Sequence, residues 1–378
     1  MSATATTTWE DIALQLAEKM KATAVKRDQQ GGTALEERRL LKESGLLKLL
    51  IPTNLGGLGG KWSDIVKIVQ IFSRVDSSIG HLYGYHFVNL ITAHLWGSKE
   101  QQQYYYEQTA KQDWFWGNAF NPVQIKLVAS KVGEQYVLNG PKTFCTGSAD
   151  SDQLIVSALD EQGELFTAIV PTNREGIELL HDWDNFGQRQ TDSGTVQFTN
   201  VVVHEQEMLK NRFEATAFAQ VRLNMAHFIL NHLFLGIAEG AFEEMLDYTK
   251  TKTRPQPNGE PATANPIIQK HYGELYTNLE AARLLVERTQ PIFDEIWALG
   301  DATTDELKAE FDNAVHTAKV FVSKFGIELT NRMFEVMGSR ATASSYGYDR
   351  YWRNMRTMTL HMPVDQVLTN LGHDILTR

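Results

Sequence analysis

The stretch RNMRTMTLHMPVDQVL (353–368) places His361 two residues ahead of Pro363. A proline has no amide hydrogen and drives the residue before it into extended geometry, so the helical periodicity running into His361 must stop there. A histidine at such a break is free to face a ligand. Imidazole donates a hydrogen bond and exchanges a proton near neutral pH, which equips it for acid–base work. On its own the residue reads equally well as a loop histidine. The segment 77–96 offers a second group, being aromatic and holding His81, Tyr85, His86 and His94. His81 and Tyr85 stand four residues apart, on one face of a helix, and can address one site together. His86 and His94 read as packing or surface residues.

Other chemistries find less support. The single cysteine, Cys145, excludes an intramolecular disulfide and a cysteine-based zinc cluster, and reads as a small packing residue. There is no His-Glu-x-x-His, and His227 and His232, five apart, do not share a helical face, so no metal site is expected. The segment IPTNLGGLGGKW could cradle a phosphate, but no Gly-Lys-Ser/Thr follows and no strand clearly precedes it, which leaves a loop. No Gly-x-Gly-x-x-Gly fingerprint for a nicotinamide coenzyme is present.

The elements that must position these residues follow from periodicity. Thr8 can cap a helix with Trp9, Ile12, Leu16 and Met20 on one face, and 36–50 gives a second apolar stripe. Helices are expected over 63–75 and 77–96. From Trp114 to about Val203 the pattern turns to short β runs (KLVASKV, QYVLNG, DQLIVSAL, LFTAIV, GTVQFTNVVV) separated by turn signals. Their spacing predicts an antiparallel barrel or sandwich of roughly ninety residues. Helical periodicity then returns: one long helix over 218–250, with Gly236 and Gly240 where another helix could approach closely, and further helices over 266–297, 305–337 and 365–376. The expected organisation is α+β: an N-terminal helical domain (1–113), a central antiparallel β-domain (114–210) and a C-terminal helical bundle (211–378). A formal net charge of -10 without a basic run argues against a nucleic-acid surface. No window approaches the ~20 uninterrupted apolar residues of a membrane span. The N-terminal segment lacks the pattern of a secretory signal, so a cytoplasmic location is the expectation.

This order of elements resembles the acyl-CoA dehydrogenase fold over essentially the whole chain. LNGPKTFCTGSADSDQLIV resembles that family's β-domain segment beside the flavin. FGQRQTDSGTVQFTNVVV resembles its G-x-R-x-(Thr/Ser) strand, and EVMGSRATASSYGYDRYWRNMR its late helix–loop–helix. Dehydrogenases of this fold abstract a proton with a glutamate placed just after the Arg-Asp-x-Arg segment or, in some branches, near the start of the long helix. Here the first position reads TLHMP and the second AFAQVRLNMAHF, neither with a carboxylate. Proton abstraction beside a carbonyl needs an ionised base, so acyl-CoA dehydrogenation, or a flavin oxidase with bound FAD, is the alternative rather than the leading reading.

The segment from Arg353 to Asp365 is similar instead to flavin-dependent monooxygenases resembling dibenzothiophene monooxygenase, in which a histidine occupies that position. The resemblance implies catalytic roles for His81, Tyr85, Asn118, Thr146 and His361. It implies flavin contacts from Asn118, Thr146, Ser148, Trp183 and Ser193, and phosphate contacts from Arg254, Ser339 and Arg340. It further implies reduced FMN (FAD being the other possibility) delivered by a separate NAD(P)H-dependent reductase, O2, and a C4a-hydroperoxide that oxygenates a small apolar substrate at sulfur, nitrogen or an aromatic ring. In this fold the late glycine turn serves a neighbouring subunit's flavin, which implies a homo-oligomer, expected to be a tetramer.

Overall fold

The computed structural model describes residues 8–121, 126–209 and 215–377. The N-terminal third is built from α1 (Trp9–Lys21), α2 (Ala24–Gln30), α3 (Leu35–Ser44), α4 (Trp62–Val75), α5 (Ser77–Trp96) and α6 (Lys99–Gln112). Its helix starts are capped by sequence. The Thr8 hydroxyl accepts from the Asp11 amide at 3.1 Å while the Asp11 carboxylate accepts from the Thr8 amide at 2.9 Å. Asp76 caps α5 by accepting from the Ser78 amide at 3.0 Å. α5 is buried nearly all round, so its polar residues His81, His86, Asn89 and Thr92 lie inside the protein.

A sheet follows, formed by β1 (Trp116–Ala119), β2 (Val128–Val132), β3 (Gln135–Lys142), β4 (Gln153–Asp160), β5 (Leu165–Pro171), β6 (Ile177–Leu179), β7 (Val196–Val203) and β8 (Met208–Leu209). The strand order is β6-β7-β3-β2-β4-β5-β8, with β1 added on β4. The expected antiparallel pairing holds for β2–β3, β3–β7, β4–β5, β5–β8 and β6–β7, but β1 and β2 both run parallel to β4. The sheet is therefore mixed. The two short strands share β4 by pairing with successive halves of it, Gln153–Val156 and Leu159–Asp160. Local alternation sets which face a residue occupies but not the direction of its partner strand. The apolar sides of the strands form a core of their own around Leu127, Leu138, Leu154 and Val201.

The C-terminal part holds α7 (Ala217–Gln220), α8 (Met225–Thr251), α9 (Pro266–Glu287), α10 (Thr289–Leu299), α11 (Asp305–Met337), α12 (Asp349–Thr359) and α13 (Val364–Thr377). Two expected continuous helices are broken. Residues 221–223 wind as a 3-10 turn between α7 and α8, where Arg222 reaches Thr92 on α5. The helix expected over 266–297 divides at Arg288, three residues before Pro291, whose ring and missing amide disrupt the preceding turn.

α8 packs on α4 along the glycine pair. A β-carbon on Gly236 would stand 2.6 Å from the Gln70 carbonyl oxygen, and one on Gly240 would collide with the Arg74 carbonyl. Beside this contact the buried Glu239 carboxylate bonds Arg74 of α4 at 2.8 Å and Arg283 of α9 at 2.9 Å. By length and composition α8 could cross a membrane, but 89% of its apolar stretch is buried inside the protein, as suits a bundle's central helix. The expected boundary at 210/211 lies outside the described residues.

Candidate active site

The histidines of α5 divide by partner. His86 Nε2 lies 2.9 Å from the Leu47 carbonyl and its Nδ1 accepts from the Trp116 amide at 3.3 Å. His94 Nδ1 lies 3.0 Å from the Tyr106 hydroxyl. These two are satisfied structural groups. His81 is 4% exposed, and neither of its ring nitrogens has a hydrogen-bond partner. Gln188 is near enough to favour its protonated form weakly, yet the Gln188 Oε1 is itself unpartnered. Burial, and then the neighbouring His361, push the His81 pKa down to about 3, so the ring is neutral at pH 7. One helical turn on, the Tyr85 ring stands edge-on to His81 at 4.4 Å between centroids.

His361 lies in the turn between α12 and α13. Its Nε2 is 3.4 Å from the Tyr85 hydroxyl, so the proline break brings the late histidine onto the face of the early His–Tyr pair. The ring is exposed by surface area, yet surrounding protein lowers its pKa to about 4, first by desolvation and then through Lys319. Both statements hold for a ring that faces an enclosed cleft. Burial raises the Tyr85 pKa and keeps the phenol protonated. His227 of α8 stands 6.1 Å from His361 and 5.9 Å from His316, ring to ring. Lys319 of α11 is fully buried behind them, and its Nζ has no hydrogen-bond partner. On the other side of Tyr85, Arg222 donates from Nε to Thr92 at 2.8 Å and lies 4.8 Å above the Phe120 ring.

The sheet brings up a second group. Asn118 sits on β1 and its amide donates to the Thr146 carbonyl at 2.9 Å, while its Oδ1 accepts from the Phe120 amide at 3.2 Å. Hydroxyls then form a line: Thr146 Oγ1 is 2.9 Å from Ser193 Oγ, which is 2.7 Å from Thr191 Oγ1, which donates to the Gln188 carbonyl at 2.9 Å. A hydroxyl has one proton, so with Thr191 donating to Gln188, Ser193 donates to Thr191 and Thr146 to Ser193. Thr146 is left with lone pairs to offer. Trp183 Nε1 donates to the same Gln188 carbonyl at 2.8 Å, and the exposed Phe144 ring lies edge-on to Trp183 at 6.0 Å. Gln188 ties this loop to both helical parts: its amide donates to Asn354 Oδ1 at 2.7 Å and its side chain to Ser77 Oγ at 2.8 Å. Ser148 is buried in the turn after Thr146.

These groups fit a flavin. A flavin ring needs a flat apolar surface, which Phe144 and Trp183 offer, and a polar edge, which Asn118, Thr146 and the unpartnered His81 can meet. Arg254, Ser339 and Arg340 are not brought to this group. All three are exposed, with Arg254 three residues beyond α8 and Arg340 within electrostatic range of Tyr248 near the same end of that helix. Arg222, His227, His316 and Lys319 escaped sequence reasoning. His227 was weighed only as a metal ligand, and a charged residue on a helix carries no signal that it points inward. No three or more His, Cys, Asp or Glu side chains among the described residues gather as a metal site.

The chain matches models of the acyl-CoA dehydrogenase N-terminal domain over 8–113, the middle domain over 117–201 and the C-terminal domain over 229–366. It is 45% identical to a probable FMNH2-dependent monooxygenase, SfnC, of Pseudomonas putida, covering 96% of this chain and 93% of that one. The methanesulfinate monooxygenase MsuC of Pseudomonas fluorescens superposes with a TM-score of 0.95 at 45% identity, covering 97% of this chain and 96% of that one. FMN-bound TdsC of Paenibacillus sp. A11-2, a dibenzothiophene monooxygenase, superposes with a TM-score of 0.94 at 35% identity, covering 98% and 97%.

Proposed function

The chain belongs to the acyl-CoA dehydrogenase family as one of its FMN-using, flavin-dependent monooxygenases, and from that premise we propose how its own residues serve the reaction. It is the oxygenase component of a two-component system. A separate reductase supplies the reduced flavin, in line with the absence of a nicotinamide fingerprint from the sequence. Reduced FMN held there would supply the activation of O2, from which one oxygen atom reaches the substrate.

The observation that carries the reading is the His361–Tyr85 pair beside the unpartnered His81. None of the hydrogen bonds or ion pairs of these three among the described residues involves a carboxylate. Dehydrogenases of this fold use a carboxylate at that place, whereas here stand imidazoles whose lowered pKa values make them weak bases and a protonated phenol. They supply hydrogen bonds and a proton path, with His81 and Tyr85 buried away from water as a reactive oxygen donor requires. Tyr85 orients the His361 ring, and His361 holds or returns a proton at Nε2. Asn118 and Thr146 position the flavin edge. Thr146, left as an acceptor, prefers a ligand N–H, and a reduced flavin carries more of these than an oxidised one. Trp183, Ser148 and Ser193 support that edge. Arg254, Ser339 and Arg340, exposed at one end of α8, bind the flavin phosphate of a neighbouring subunit, so the enzyme is a homo-oligomer.

Supplying reductase-generated FMNH2 under 18O2 tests this. One labelled atom is expected in the product. His361→Ala should lower labelled product per flavin by about 100-fold while hydrogen peroxide rises to match. Tightly held FAD that bleaches when acyl-CoA is added would replace this reading with the dehydrogenase one.

A further inference from the structure

Behind His361 stand two further histidines. His227 of α8 is 6% exposed, and its Nδ1 has no hydrogen-bond partner. Its ring centre lies 6.1 Å from that of His361 on one side and 5.9 Å from that of His316, on α11, on the other. Centres so spaced leave a gap of about 4 Å between ring edges, which a rotating ring or one bridging water spans. Past His316 the line continues in hydrogen bonds. His316 Nε2 stands 3.3 Å from Asn224 Oδ1, and Asn224 Nδ2 donates to Asp312 Oδ1 at 2.6 Å. An amide oxygen only accepts, so the neutral His316 ring donates from Nε2 and carries its lone pair on Nδ1. Asp312 and His316 lie one turn apart on α11, both half-buried, so the line ends where water reaches.

We propose that His361, His227 and His316 form a proton relay between the reacting groups and the solvent at Asp312. The inference rests on the monooxygenase reading above, in which His361 holds or returns a proton at Nε2. His361 faces the cleft, and that side is shut off from water once the cleft is filled. Tyr85 and His81 are buried, so neither opens another way out. The inward route is the one left. A proton enters one nitrogen of an imidazole while another leaves from the opposite nitrogen, so each ring passes the charge on without keeping it. Only N–H bonds are made and broken, and each proton delivered to His361 is matched by one taken up at the Asp312 end. The groups facing the rings suit this traffic. Lys319 faces all three and disfavours a lasting imidazolium, while Asp312 and Asp374, beside Lys308, draw a proton toward His316. Protons thus reach the site without admitting water beside a reactive oxygen donor.

Two measurements test the relay, the first on flavin-free protein. In His361→Phe the cleft side is blocked, and exchange of the His227 ring proton with solvent is followed by NMR. Adding His316→Gln is expected to slow that exchange by about tenfold. The second is turnover with reduced FMN. His316→Gln should lower kcat by about 100-fold at unchanged KM, with a larger solvent deuterium effect, and added imidazole should restore it saturably. Glutamine keeps a donor for Asn224, so a merely structural role for His316 predicts little loss and no rescue. Should His316→Gln fail to fold, Asp312→Asn is expected to slow the same exchange. Exchange that neither variant changes, or a loss of turnover that imidazole leaves untouched, overturns the relay and leaves the monooxygenase standing. Slowed exchange in a protein that gives no 18O-labelled product supports the relay and overturns the monooxygenase reading alone.

Discussion

At the scale of single residues, Lys319 and Arg222 differ in how they answer burial, and the difference is measurable. The Lys319 ammonium loses its proton through a pKa of about 8 because burial disfavours the charge. The groups facing it, His227, His361 and His316, have pKa values lowered by burial and are neutral in that range. The sign follows: the unfolded chain holds the lysine proton up to its ordinary value of 10.5, so stability should rise with pH between about 8 and 10.5, read as the denaturant midpoint. Lys319→Met should erase that rise. A wild-type midpoint that is level from pH 7 to pH 10 would count against a buried ammonium there. Sequence carried part of this site. The spacing of His81 and Tyr85 and the proline beside His361 were readable because helix geometry and proline chemistry are local. Arg222 and Lys319 were not, because only the packing of α5, α8 and α11 decides whether a helical cation meets water.

At the scale of elements, the tightest requirement is the approach of α8 to α4. Gly236 and Gly240 lie against the Gln70 and Arg74 carbonyls, so an added methyl must push the helices apart. Gly240→Ala is expected to destabilise by about 1–3 kcal/mol, read as a lower denaturant midpoint. Gly273→Ala on α9, where a β-carbon would meet nothing within 4 Å, should be neutral or stabilising by about 0.5–1 kcal/mol. Equal losses at both positions would show that the packing reading is wrong. The glycine spacing was legible before the structure. The break at 221–223 was not, because no proline or glycine marks it. Its cause is long-range: Arg222 leaves the helical path to reach Thr92 and the Phe120 ring. Pro291 could have announced the division of α9 from α10. The parallel pairing of β1 and β2 with β4 had no local signal, since strand alternation is the same in either direction.

At the scale of the whole molecule, the proposed phosphate residues stand apart from the groups they are to serve. Arg254, Ser339 and Arg340 are exposed, as are the apolar side chains Ile267, Leu284, Ile375 and Leu376 on α9 and α13. A subunit that lends its arginines to a neighbour's flavin would show both features. The expectation is complementation: protomers carrying His361→Ala and protomers carrying Arg340→Ala, each nearly inactive alone, should recover a fraction of activity when co-assembled. The His361→Ala subunit keeps the arginine its neighbour needs, and the neighbour keeps the histidine. Mixed oligomers no more active than either parent would place Arg340 outside the flavin site.

Lys319 finally marks where heat tolerance and activity pull apart. An apolar side chain of similar length would fill the same space between α8 and α11 without an ammonium to desolvate, and such replacements commonly strengthen a fold. Laboratory selection for thermotolerance, run without attention to turnover, should therefore drift toward Met or Leu at this position. It would return a sturdier protein in which His361 and His227 no longer feel the ammonium that helps hold their pKa values down. The lysine reads as a feature kept by use, since the fold alone gives no reason to retain it.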